Sequence, residues 1–197
     1  MKTRTLLLVA LGALTAAAAT ANAVQSASNP KVSRSQEGEL QRIYVNTPSI
    51  PLDAAAYLAT EVVHGRIEGV RAEFPGRGLA RTVYTVRILQ ALKGASASTI
   101  EVSVAGGSNE DVTVDVVGAP RFRPNEEVVL FLWTSAADAE TGVLGLQRGV
   151  YRVEGSSGET RYVTGDHAQH EELNQFFART GEAWVRGQAR IEAQERK

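Results

Sequence analysis

Apolar residues change their spacing several times along this 197-residue chain, and each change marks a different kind of element. An apolar run, chiefly of Leu, Val and Ala with Gly12 and Thr15 inside it, extends from Leu6 to Ala19. From Val24 to Glu39 only Val24 and Val32 are large aliphatics, too few to repay the entropy of ordering. Ile43-Tyr44-Val45 reads as a short strand, and Pro48 and Pro51 punctuate the chain after it. Asp53 and the helix formers Ala54 to Thr60 predict a short helix with Asp53 as its cap. The period then falls to two. Val62 to Val70 reads as a strand. Tyr84, Val86 and Ile88 alternate with Thr85 and Arg87, as Ile100, Val102 and Val104 do with Glu101 and Ser103. Val112, Val114 and Val116 repeat the pattern. Val128 to Trp133 is apolar without alternation, as in a strand covered on both faces. Val143–Leu146, Tyr151–Val153 and Arg161–Val163 are shorter strand candidates. The separators are turn-forming: Lys93-Gly94, Gly106-Gly107, Gly118-Ala119-Pro120, Gly142 and Gly155 to Gly158. About seven short strands with such turns and no long helices between them predict a small antiparallel barrel or sandwich. Beyond Asp166, taken as a helix cap, Leu173, Phe177, Thr180, Trp184, Gly187 and Ile191 follow a 4-3-4-3-4 spacing, one amphipathic stripe. Gly181 and Gly187 weaken it, which predicts one helix to about Thr180 and a looser second one.

The first 23 residues are expected to leave the fold. Lys2 and Arg4 precede the apolar run, and Ala21-Asn22-Ala23 closes it with the small residues of a signal-peptidase site. The run is about 14 residues, short of the roughly 20 that span a bilayer. The expected divisions are a signal peptide over 1–23, a disordered tether over 24–48, a β-barrel domain over 49–165 and a C-terminal helical segment over 166–197. Cleavage after Ala23 predicts an exported protein, periplasmic or secreted, with no stable membrane insertion.

Composition narrows the function classes. Without Lys2 and Arg4, 19 basic residues face 22 acidic ones, a net charge of about −3 with the signs mixed. No Lys/Arg cluster points to nucleic acid or anionic lipid. There is no cysteine, which excludes a thiol nucleophile, Cys-ligated metal and a disulfide framework.

The candidate chemistries have plain structural readings. His167 and His170, with Asp166 and Glu171, are spaced to share a helical face. A zinc site needs three or four converging ligands, and His64 is the only other histidine. Polar residues at a helix start explain the cluster. Gly155-Ser156-Ser157-Gly158 lacks the spacing of a nucleophile elbow and reads as a hairpin turn. Gly106-Gly107-Ser108-Asn109 is followed by Glu110 and Asp111, which repel phosphate, and reads as a flexible loop. The pairs Glu126-Glu127 and Glu171-Glu172 mean nothing for glycoside chemistry without geometry, and Glu126 is expected in the turn before the buried strand. Tyr84, Tyr151 and Tyr162 sit at core-facing positions rather than on a base-stacking platform. No catalytic residue, cofactor or metal ligand is assigned.

One set of motifs is familiar as a set. Val63-His64-Gly65-Arg66-Ile67, Tyr84 through Lys93-Gly94, Ile100 through Gly107, and Pro120 through Leu132 with its Glu-Val-Val-Leu-Phe-Leu run succeed one another over roughly 52–165. Their order resembles a broad group of uncharacterised exported bacterial proteins. The resemblance implies a small OB-like or netrin-like β-barrel, with motifs that are structural and bring no catalytic residue. In barrel shape the group is also similar to tissue inhibitors of metalloproteinases, whose N-terminal cysteine chelates the protease zinc; this chain has none.

The expected fold is therefore mainly β with flanking helices (α+β): an OB-like/netrin-like antiparallel barrel, a short helix before it and a C-terminal amphipathic helix. The expected function is a non-catalytic exported module binding a protein or a cell-envelope component. Trp184 and Ile191, on the stripe beyond Gly181, are the expected partner-binding residues. The alternatives are a regulator or inhibitor of a secreted peptidase, and a small secreted hydrolase.

Overall fold

The computed structural model describes residues 39–195 apart from 46, 77, 78, 95, 96, 156 and 157. The expected signal peptide, and the tether up to residue 38, lie outside the described residues. In chain order the elements are β1 (Glu39–Tyr44), α1 (Leu52–Leu58), β2 (Glu61–Glu73), β3 (Arg81–Lys93), β4 (Thr99–Ala105), β5 (Gly107–Ser108), β6 (Val112–Val117), β7 (Glu127–Thr134) and β8 (Thr141–Val143). A 3-10 turn (Leu146–Gly149), β9 (Val150–Glu154), β10 (Tyr162–Gly165), β11 (Ala168–Glu172) and α2 (Leu173–Glu195) complete them.

Five strands close a barrel in the order β7-β2-β3-β4-β8, with β8 pairing back onto β7. Its pairings are antiparallel except β4 with β8, which meet in parallel at Ser103 and Gly142. Closure works because β7 divides one edge between two partners. Val128 to Leu130 pair with β9, and Leu132 to Thr134 pair with β8. From β9 an antiparallel meander continues through β10 to β11. β2 and β3 bend around the barrel through three register shifts, the local kinks that bulges supply. Gly65 sits at one of them: a Cβ there would lie 2.8 Å from the Arg87 carbonyl oxygen and 2.5 Å from a Val86 methyl carbon. The close approach of β2 to β3 leaves room for no side chain.

The period-two residues point inward as predicted. Tyr84, Val86, Val102 and Val104 meet Val63, Ile67, Phe122 and the inward side chains Val128, Leu130 and Leu132 of β7 in a filled interior. The other face of β7 is covered too. Val129 and Phe131 pack with Tyr151, Val163, Leu173, Phe176 and α1 in a second core outside the barrel. Val128 to Leu132 are thus covered on both faces, as the lack of alternation predicts, but Trp133, the last residue of the apolar run, is 45% exposed. Tyr151 lies 4.6 Å from the Phe176 ring and 5.4 Å from that of Phe131, centroid to centroid.

Several readings are corrected. Part of the 24–48 stretch is not a tether, because β1 pairs in parallel with β6 from Glu39 to Tyr44. The strand seen at Ile43–Val45 starts earlier, at charged and amide residues whose composition hides it. With β5, these strands form a separate three-stranded sheet in the order β1-β6-β5, so Gly107-Ser108 is strand rather than loop. The 166–197 segment is not helical throughout: residues 168–172 form β11 and the helix starts at Leu173. Asp166 does not cap it; its carboxylate accepts from Arg148 Nη1 at 3.1 Å. Nor does α2 break near Thr180, as it runs 23 residues through both glycines. At α1 the cap position is Pro51, and Asp53 lies in the first turn, where a negative charge suits the helix dipole.

Candidate functional site

A groove runs between the barrel and the three-stranded sheet, with a volume of about 300 Å³. Its walls come from two apolar clusters that approach without merging. Tyr84, Val104 and Phe122 belong to the barrel interior. Val114 and Val116 belong to the core under the three-stranded sheet. The Gly118–Phe122 connection crosses between them and carries Arg121 to the rim. Polar groups are distributed along the walls. Thr82 Oγ1 donates to the Gly106 carbonyl at 2.8 Å, and the Ser108 and Thr113 hydroxyls share a 2.7 Å bond. Tyr84 is 5% exposed and meets Phe122 edge-on, centroids 4.9 Å apart at 86°. No described residue hydrogen-bonds its hydroxyl.

Among the described residues lining the groove, Arg121 is the only charged one. Its guanidinium is paired with Asp115 on β6, and Arg42 on β1 donates to the same carboxylate at 3.1 Å. Two cations therefore share one anion, and of the three only Arg121 lines the groove.

The histidines are held elsewhere. His64 is 1% exposed on the outer face of β2, with Nε2 3.1 Å from Glu127 Oε2 on β7. A carboxylate only accepts, so that nitrogen carries the proton. Arg66 donates to the same carboxylate at 2.6 Å and Arg161 at 3.2 Å. Burial pushes the His64 pKa down, against the opposing pull of Glu127. Burial on its own would raise the Glu127 carboxyl, but the Arg66 and His64 hydrogen bonds outweigh it and hold it below the ordinary carboxylate value. His167 and His170, expected on one helical face, sit on a turn and a strand. His167 Nε2 bonds the Ile50 carbonyl at 2.7 Å, and His170 stacks on Tyr162 at 4.3 Å and 8°. Among the described residues no group of three or more His, Asp and Glu is placed to hold a metal ion.

Trp184 and Ile191 are both half-buried on α2, and Trp184 packs against the outer core that includes Ala56 of α1. The Trp184 ring covers the Lys93 ammonium at 5.2 Å. Lys93 in turn donates to the Ala56 and Tyr57 carbonyls at the end of α1, at 3.1 and 2.7 Å, and its burial pushes the amine pKa down. Ile191 lies one turn past Gly187, beside the Arg190–Asp53 ion pair between the helices. The structure does not bring either residue to the groove.

Tyr84 is legible in the sequence as a core residue, and it is one; its second role at the groove is not. That role depends on β6 leaving the barrel to pair with β1, which no local spacing signals. No protein-family model and no curated protein matches the chain.

Proposed function

We propose that this chain is an exported, non-catalytic β-barrel module, akin to small OB-like or netrin-like exported domains, that binds an envelope component in the groove beside the barrel. The observation that carries this reading is the division of labour among polar groups. The barrel interior is filled with apolar side chains. The described histidines and Glu127 are bonded into the scaffold. The groove, by contrast, combines apolar walls with a solvent-reaching phenol that no described residue engages and with a cationic side chain, Arg121, the composition of a binding site rather than of a packed seam. Among the described residues no helix is long and apolar enough to cross a membrane. Export rests on the basic, apolar and Ala-Asn-Ala pattern of the first 23 residues.

The test pairs capture with occlusion. Ser108 is an exposed groove residue, so Ser108→Trp fills the groove without entering a core. The immobilised chain is expected to retain a component of native envelope extract that S108W does not, and to hydrolyse peptide, ester and glycoside probes at background rates. Turnover, or capture indifferent to S108W, overturns the reading. N-terminal sequencing of the exported protein is expected to begin at Val24; retention in the membrane with Leu6–Ala19 intact refutes export.

A further inference from the structure

We infer that the groove takes a small carboxylate with an apolar body, a ligand class that rests on the binding-module reading above. Charge comes first. Arg121 is the only ionised side chain among the described lining residues, so nothing acidic among them repels an anion. Because Arg121 and Arg42 share the single carboxylate of Asp115, this cluster carries one positive charge in excess, and Arg121 is its member on the groove lining. Arg121 commits one nitrogen, Nη2, to Asp115, and the guanidinium has further N–H donors for a second planar acceptor. One surplus charge matches a carboxylate better than a doubly charged phosphate. The phenol comes second. The Tyr84 ring is buried in the groove wall, and its hydroxyl, with no partner among the described residues, stays open to solvent, where a ligand's polar group can take the place of water. Size and lining complete the case: about 300 Å³ is at the small end of ligand pockets, and Val104, Val114, Val116 and Phe122 offer it apolar walls.

The probes are hexanoate and its uncharged counterpart hexanamide, titrated into the ¹⁵N-labelled full mature chain and followed by amide chemical shifts. Hexanoate is expected to saturate in the millimolar range with shifts confined to residues 82–84, 104–108 and 113–122. Hexanamide should bind about tenfold more weakly, the loss of one charge-assisted pair. Arg121→Gln should remove that difference, and Tyr84→Phe, which deletes only the hydroxyl, should weaken both probes about threefold. Circular dichroism and the shifts of remote residues confirm that each variant is folded. Absence of localised shifts, equal affinity for the two probes, or indifference of hexanoate to Arg121→Gln overturns the inference. If hexanoate fails in one of these ways while S108W still abolishes envelope capture, the ligand class is wrong and the binding module stands. If both fail, the reading beneath it falls as well.

Discussion

Phe131 points out of the barrel and yet is 1% exposed, because β9, α1 and α2 close over it. Its ring touches two others, Tyr151 and Phe176, so truncation leaves a cavity that rigid strands cannot collapse. Phe131→Ala is expected to cost about 3–5 kcal/mol in urea unfolding; a loss below about 1 kcal/mol would show that the site is not packed as described. His64 yields a prediction of a different kind. Its folded pKa lies below the ordinary 6.5, so the unfolded chain binds more protons between the two values and stability must rise with pH there. The contribution is complete above about pH 6.5 and is lost as pH falls toward the folded pKa. Glu127, itself held below 4.5, adds its own loss only in more acid solution. His64→Gln keeps a donor for Glu127 and removes the titration. Unfolding free energies measured from pH 7.5 to 4.5 are expected to slope less in the variant, and parallel curves would contradict the buried, neutral assignment.

The two glycines of α2 look alike in sequence and differ in what they face. A Cβ on Gly187 would lie within contact distance of the Asp53 carbonyl and 2.9 Å from Tyr57 Cβ, so this glycine is what lets α2 approach α1. At Gly181 the nearest neighbour is a Leu92 methyl carbon at 3.7 Å, an ordinary contact. Ala adds about 1 kcal/mol of helix propensity at either position. Gly181→Ala is expected to stabilise by up to that amount. Gly187→Ala is expected to destabilise by about 1–2 kcal/mol, since overpacking outweighs propensity. Thermal unfolding of the pair is the check; a gain at Gly187 would mean that the helices are not this close. The same contrast separates what local spacing encodes from what only the fold creates. The inward alternation of β3 and β4 and the double burial of β7 are legible because each strand's two faces are written in its own residues. The break expected in α2 is a local inference from propensity, overridden by a neighbour on α1, far away in the chain. The groove is hidden for the same reason: Tyr84, Val116 and Arg121 become one site only through the β1–β6 pairing.

β7 makes the fold one cooperative object, because the barrel interior and the outer core share its two faces. The outer core is completed by the end of the chain. Ala183 is fully buried against α1, Trp184 covers Lys93 where that ammonium caps the α1 carbonyls, and Arg190 pairs with Asp53. A C-terminal segment that waited for a partner would leave these groups to solvent; here they are already engaged. Truncation after Gly181 therefore bares Ala56 and Tyr57, removes the aromatic cover from a half-buried amine and deletes an inter-helix ion pair. Most of the cost is apolar area, since exposed ion pairs contribute little. We expect a loss of about 2–4 kcal/mol, which for a domain of this size lowers Tm by roughly 5–15 °C. Urea and thermal unfolding of the truncated and full mature chains read it directly, with hexanoate affinity as a control that should persist, because the groove lies beyond the reach of α2. A change within about 0.5 kcal/mol, the range of surface substitutions, would return Trp184 and Ile191 to the role of a free, partner-seeking stripe.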